Sequence, residues 1–139
     1  MEQKSSPALM PDWVPASGHA LRHAGIHFDA IRIGGFFGEH VAYLLMEFTD
    51  FRAGPIVREY TGDEYHYFLL PPQTAAAYRW PAGARALSRE AGALAFVGVP
   101  AMAGETYPLG WRSLPTLEVP FVEVELLQEM VTRAASALR

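Results

Sequence analysis

The sequence predicts an α+β domain: a four- to five-stranded, mainly antiparallel sheet with two larger helices packed on it. Three observations carry that prediction. Residues 36–48 and 121–138 repeat apolar side chains at spacings of three and four, the period of one helix face. Short runs rich in Val, Ile, Tyr and Phe, bounded by Gly and Pro, lie between and around them, as strands do. Half of the 139 residues are apolar, including eight Phe, six Tyr and three Trp, enough for a core without covalent staples.

In chain order, residues 1–11 (MEQKSSPALMP) read as a disordered tail and 12–139 as a single α+β domain. Residues 16–24 read as a short helix with Ser17 as N-cap, Gly25 as stop, and Ala20, Leu21 and Ala24 as its apolar side. Residues 27–33 (HFDAIRI) read as a strand. His27, Asp29, Ile31 and Ile33 share one parity, and Phe28, Ala30 and Arg32 the other, so both faces are partly covered. Residues 36–48 form the main core helix through Phe37, Val41, Leu44, Leu45 and Phe48, with Glu39 early, where the dipole favours a carboxylate. Residues 55–60 and 65–70 are two strands joined by Thr61-Gly62-Asp63-Glu64 in a hairpin. One helical turn is expected around 75–77, a weak strand over 84–88 and a stronger one over 94–99, closed by Pro100. Residues 100–120, with four prolines and two glycines, read as loop with one edge strand near 110–114. Residues 121–138 form the last helix, with Glu123 and Glu125 in its first turns and Arg133 and Arg139 near its end, complementing the macrodipole.

Composition narrows the chemistry. The chain has no cysteine, which excludes disulfides, thiolate zinc sites and cysteine nucleophiles. The formal charge is −4, and the arginines are scattered rather than gathered in a stripe, which argues against nucleic acid. Lys4 is the single lysine and Asn is absent, the bias of a GC-rich bacterial genome. Neither a signal peptide nor a bilayer-length apolar run is read, so a soluble cytoplasmic protein is expected.

Several constellations have both a chemical and a plainer reading. His19, His23 and His27 are spaced by four, which on a continuous helix would stack three imidazoles and offer a zinc pincer. Gly25 interrupts that helix, and the plainer reading is a solvent-facing patch beside Arg22. Three acidic pairs stand close in sequence: Glu47 with Asp50, Asp63 with Glu64, and Glu123 with Glu125. Each could hold a divalent cation, and each is equally at home in water. Gly34-Gly35-Phe36-Phe37-Gly38 opens a helix after a strand, the place for an anion, yet it lacks Lys and the G-x-G-x-x-G spacing. Close strand–helix packing accounts for those glycines more simply. No G-x-S-x-G elbow is present. Tyr60, Tyr65, Tyr67, Phe68, Tyr78 and Trp80 would stack bases or a flat ligand if exposed, and otherwise belong to core and rim.

HFDAIRI, GPIVREY, YHYFLLPPQTAAAYRWP and LAFVGVP together resemble actinobacterial bifunctional DNA primase/polymerase-like proteins, a degenerate branch of the archaeo-eukaryotic primase superfamily. The resemblance covers roughly residues 13–130. It implies a related fold in which active relatives use an acidic D-x-D motif to bind metal and a histidine to contact nucleotide phosphates. Here Thr61-Gly62-Asp63-Glu64-Tyr65-His66 resembles a remnant of the histidine motif, and His66 is the one residue carried over. No D-x-D occurs, and Asp29 has no acidic partner two residues away. The expectation is therefore a non-catalytic binding or regulatory module of that family, acting through protein–protein contacts with a protein partner or a second copy. No catalytic residue, metal ligand or cofactor is expected. Ligand contacts, if any, fall to His66, Tyr65, Tyr67, Tyr78 and Trp80. Two alternatives remain open: a nucleotide- or metal-dependent phosphoryl-transfer enzyme using His66 with Asp63 or Glu64, and a small-molecule pocket protein lined by the aromatics.

Overall fold

A computed structural model describes residues 10–89 and 95–138. The expected tail lies outside the described residues up to residue 9, as do Leu94 and Arg139. The elements are β1 (His19–His23), β2 (Asp29–Ile33), α1 (Gly35–Phe48), β3 (Ile56–Glu59), β4 (His66–Leu70), a 3-10 turn (Ala75–Ala77), β5 (Ala84–Leu87), β6 (Phe96–Pro100), β7 (Leu109–Ser113) and α2 (Val124–Ala137). The arrangement is α+β. Five strands form one antiparallel sheet in the order β5-β2-β4-β3-β7, and β1 pairs with β6 in a separate two-stranded ribbon.

Strand alternation gives the sheet two buried faces. Ile31, Ile33, Ile56, Phe68 and Leu70 point to one side, where α1 and α2 bring Val41, Leu45, Leu127, Met130 and Val131. Ala30, Val57 and Leu69 point to the other, where Val97 and Val99 of the ribbon join Trp13 and Phe28. The double parity of HFDAIRI is this sandwiching of the sheet between helices and ribbon.

Several readings differ from expectation. Phe48, read as a core position of α1, is exposed at the last residue of that helix. The last helix begins at Val124 rather than at 121, which makes Glu123 its N-cap. Residues 19–23 are a strand, not a helix, paired residue by residue from His19↔Pro100 to His23↔Phe96. Ser17 and Gly25 are helix-end signals locally, but pairing with a distant strand overrides such propensities. The strand β6 also includes Pro100 as its last residue rather than ending before it. The 3-10 turn is held by Asp29, whose Oδ2 accepts from the backbone N–H of both Thr74 and Ala75 at 3.0 Å each. This buried carboxylate caps a turn.

No helix among the described residues is long and apolar enough to cross a membrane.

Candidate functional site

His66 is the centre of one candidate. It follows the hairpin turn, and its register places it between Ile33 of β2 and Arg58 of β3. Its parity turns the ring to the helix face, where it is 1 % exposed. There α1 passes close above the sheet at Gly38. A Cβ at that position would meet the Ile33 carbonyl oxygen and lie 2.7 Å from His66 Nδ1. The third glycine of GGFFG thus serves strand–helix packing.

One helical position further on, Glu39 reaches back to His66. Its Oε1 lies 3.1 Å from His66 Nε2. The same carboxylate receives Arg112 of β7 in a fork, Nε to Oε1 at 3.1 Å and Nη2 to Oε2 at 2.7 Å. The bidentate pairing is the strong form of this contact. A register shift in the β3–β7 pairing falls between Ile56 and Val57, opposite Arg112, and delivers the guanidinium to the helix side.

The electrostatics follow from that chain. Arg112 holds the Glu39 carboxyl below its ordinary range, first through its hydrogen bonds. Glu39 raises Arg112 in turn, so that pair stays ionised. Burial pushes His66 below its ordinary value and outweighs the opposing pull of Glu39. A neutral imidazole facing a carboxylate carries its proton on Nε2 and donates it. Nδ1 is then a bare acceptor turned to Gly38, with no hydrogen-bond partner. Every charge here is compensated, and the nitrogen that would act as a base faces helix backbone.

Of the other expected residues Glu64 comes near this point, and the aromatics do not. Tyr65 and Tyr67 have the opposite parity to His66. Their rings meet edge-on at 6.1 Å on the ribbon side, with the Arg32 guanidinium 4.3 Å above Tyr65. Burial raises Tyr67 above the usual phenol range. Tyr78 and Trp80 pair at 6.3 Å, but Trp80 packs on the helix-side core and donates to the Ala75 carbonyl. The four aromatics therefore stand on opposite sides of the sheet and line no common cleft. Glu64 and His66 share a cavity of about 150 Å³ with Arg58 and Phe36, whereas Asp63 accepts from the Tyr65 hydroxyl. On a strand, His19 and His23 are about 13 Å apart along the chain, too far for a pincer. No group of three or more His, Asp or Glu among the described residues could hold a metal ion.

A second candidate lies on the outward side of α1. Phe36, His40, Tyr43 and Glu47 follow at spacings of four, three and four, and so form one stripe. Phe36 is 92 % exposed and Tyr43 54 %. With Ala137 and Leu138 at the end of α2, the first three residues of the stripe border an open groove of about 480 Å³. Sequence reasoning missed this stripe because it followed the inward apolar positions of the same helix. Phe36 and Tyr43 fall off that inward pattern, and that misfit was the available signal.

No protein-family model, curated protein or solved structure matches the chain.

Proposed function

We propose that this chain is a non-catalytic binding module that acts through protein–protein contacts, with the outward face of α1 as its contact surface. The observation that carries this reading is Phe36, an almost fully exposed aromatic at the start of a helix whose outward stripe continues to Tyr43. Contiguous exposed apolar surface of this kind marks interaction sites, and aromatic residues are the usual anchors of protein interfaces.

The His66 centre supports the non-catalytic half of the reading. Glu39 orients the imidazole as a catalytic carboxylate would, but it is also consumed by Arg112, and Nδ1 bonds no hydroxyl. General-base work needs a reacting proton within hydrogen-bond reach. The network instead ties α1 to β4 and β7, and so holds the contact helix in place. Kinship with the primase/polymerase-like proteins is part of the same proposal and rests on the strand motifs and the His66 match.

The test is photo-crosslinking in cells. A benzophenone amino acid replacing Tyr43 is expected to give a discrete protein adduct, whereas the same probe at Thr132 on the outward face of α2 gives none. Equal background from both positions would sink the proposal.

A further inference from the structure

We infer that the partner of this face is a second copy of the chain, with the two α1 helices antiparallel about a two-fold axis at Tyr43. The inference rests on the contact reading above and adds the identity of the partner.

Charge complementarity favours a second copy. The first turn of α1 holds no acidic residue, its N-cap makes no side-chain bond, and its last turn holds no basic residue. The last carbonyls of α1 are met by the Thr49 hydroxyl and the Phe51 N–H, but its last turn carries no cation, and that end instead carries Glu47 and Asp50, the wrong sign for the dipole. An antiparallel second copy corrects both ends at once. Each acidic end comes to lie beside the partner's uncapped N-terminus.

A two-fold interface must also be self-complementary, and the α1 stripe is. His40 lies three residues before Tyr43 and Glu47 four after it. Rotation about an axis at Tyr43 sets the imidazole of each copy against the carboxylate of the other, twice. The same rotation brings Phe51 of one copy to the Phe36 end of the other. That end holds the groove bordered by Phe36, His40, Tyr43 and Leu138. Phe51 is 73 % exposed and sits at φ +64°, directly after Asp50 at φ +56°. That backbone closes the helix, the Phe51 N–H donating to the Met46 carbonyl at 2.7 Å, and it leaves the ring exposed, so that it can seat in the partner's groove. Phe36 and the last residue of α1, Phe48, stand about 18 Å apart along the helix, so groove and knob lie at opposite ends of the contact.

Sedimentation equilibrium of the full chain tests this. At about 100 µM, which populates any dimer of micromolar dissociation constant, the wild type is expected as a dimer. His40→Glu, which places two carboxylates opposite one another, and Glu47→Lys, which takes away the carboxylate facing the imidazole, should each weaken the dimer by about tenfold or more. The double variant should recover the wild-type constant to within about threefold, because the charges then pair in reverse. Unfolding midpoints of all four proteins confirm that they are folded. A monomeric wild type, single variants that dimerise unimpaired, or a double variant that fails to recover would each overturn the inference. Should the wild type be monomeric while the probe at position 43 captures another protein, the contact reading stands and the self-pairing falls. With no adduct at all, both fall.

Discussion

The helices α1 and α2 are each fourteen residues long and lie side by side on the same face of the sheet, yet their outward faces differ in kind. On α2 the exposed positions are Glu125, Glu129, Thr132, Arg133 and Ser136 until the chain reaches Ala137 and Leu138. Arg133 pairs with Glu129 one turn away at 2.9 Å, Gln128 bonds Thr132, and Glu125 sits in the first turn, where the dipole favours it. On α1 the exposed positions include Phe36, Tyr43, Glu47 and Phe48, and neither its first nor its last turn carries a charge that complements the dipole. The polar investment of α1 is on its flank, where Glu39 joins His66 and Arg112. One helix is finished for water. The other is anchored firmly underneath and left apolar above, as a rigid contact surface needs to be.

Variants that break the anchor should have the largest effect. Gly38→Ala drives a methyl into the Ile33 carbonyl and the His66 ring, neither of which is a flexible chain end. We expect a loss of about 3 kcal/mol or more in denaturant unfolding, at the upper end for overpacking.

Arg112→Ala comes next. It leaves the Glu39–His66 pair without its cation, but Glu39 is 38 % exposed and water screens the loss. The expected cost is about 1–2 kcal/mol by the same unfolding measurement.

The pH dependence of stability is a subtler probe of the anchor. Burial lowers His66 in the folded state, so the unfolded chain takes up its proton first. Stability from this group is complete above the ordinary histidine value of about 6.5 and declines as pH falls below it. Glu39 is lowered as well, so its contribution is lost only at more acid pH, below the ordinary carboxylate range. The unfolding midpoint should therefore fall between about pH 7 and pH 5, and His66→Gln should flatten that slope. An unchanged slope would mean that the imidazole is not held neutral by burial.

Changes on the outward faces should be the mildest for stability. Phe36→Asp is expected to alter monomer stability by less than about 0.5 kcal/mol, while abolishing the contact. Glu129→Ala on α2 should also cost less than about 0.5 kcal/mol, the value of a helical i,i+4 pair, and leave the contact untouched. Loss of stability in Phe36→Asp comparable to Arg112→Ala would erase the contrast between the two sides of α1.

Much of this fold was legible because its signals are local. The apolar spacing of α1 and α2, the Thr61–Glu64 turn and the Gly/Pro boundaries of β2 to β5 each lie within a dozen residues. The failure at β1 has the same root: HALRH becomes a strand only through β6, more than seventy residues away. The site was less legible for a related reason. His66 stood out as a residue, but Glu39 was read as a dipole partner. Its actual partner, Arg112, is 73 residues distant and placed by a bulge in an edge strand. The aromatics were read as one cluster because they are neighbours in sequence, whereas Tyr67 packs on the ribbon side and Trp80, past the turn at Pro71, on the helix side.

Because the chain lacks cysteine, a single introduced thiol reports position without interference. Tyr43→Cys and Thr132→Cys, each treated with a short bismaleimide, compare the outward faces of the two helices directly. If α1 is the contact surface and its partner a second copy, Tyr43→Cys gives a covalent dimer at low micromolar protein and Thr132→Cys remains monomeric. Comparable yields from the two positions, or no dimer from Tyr43→Cys, would contradict the account.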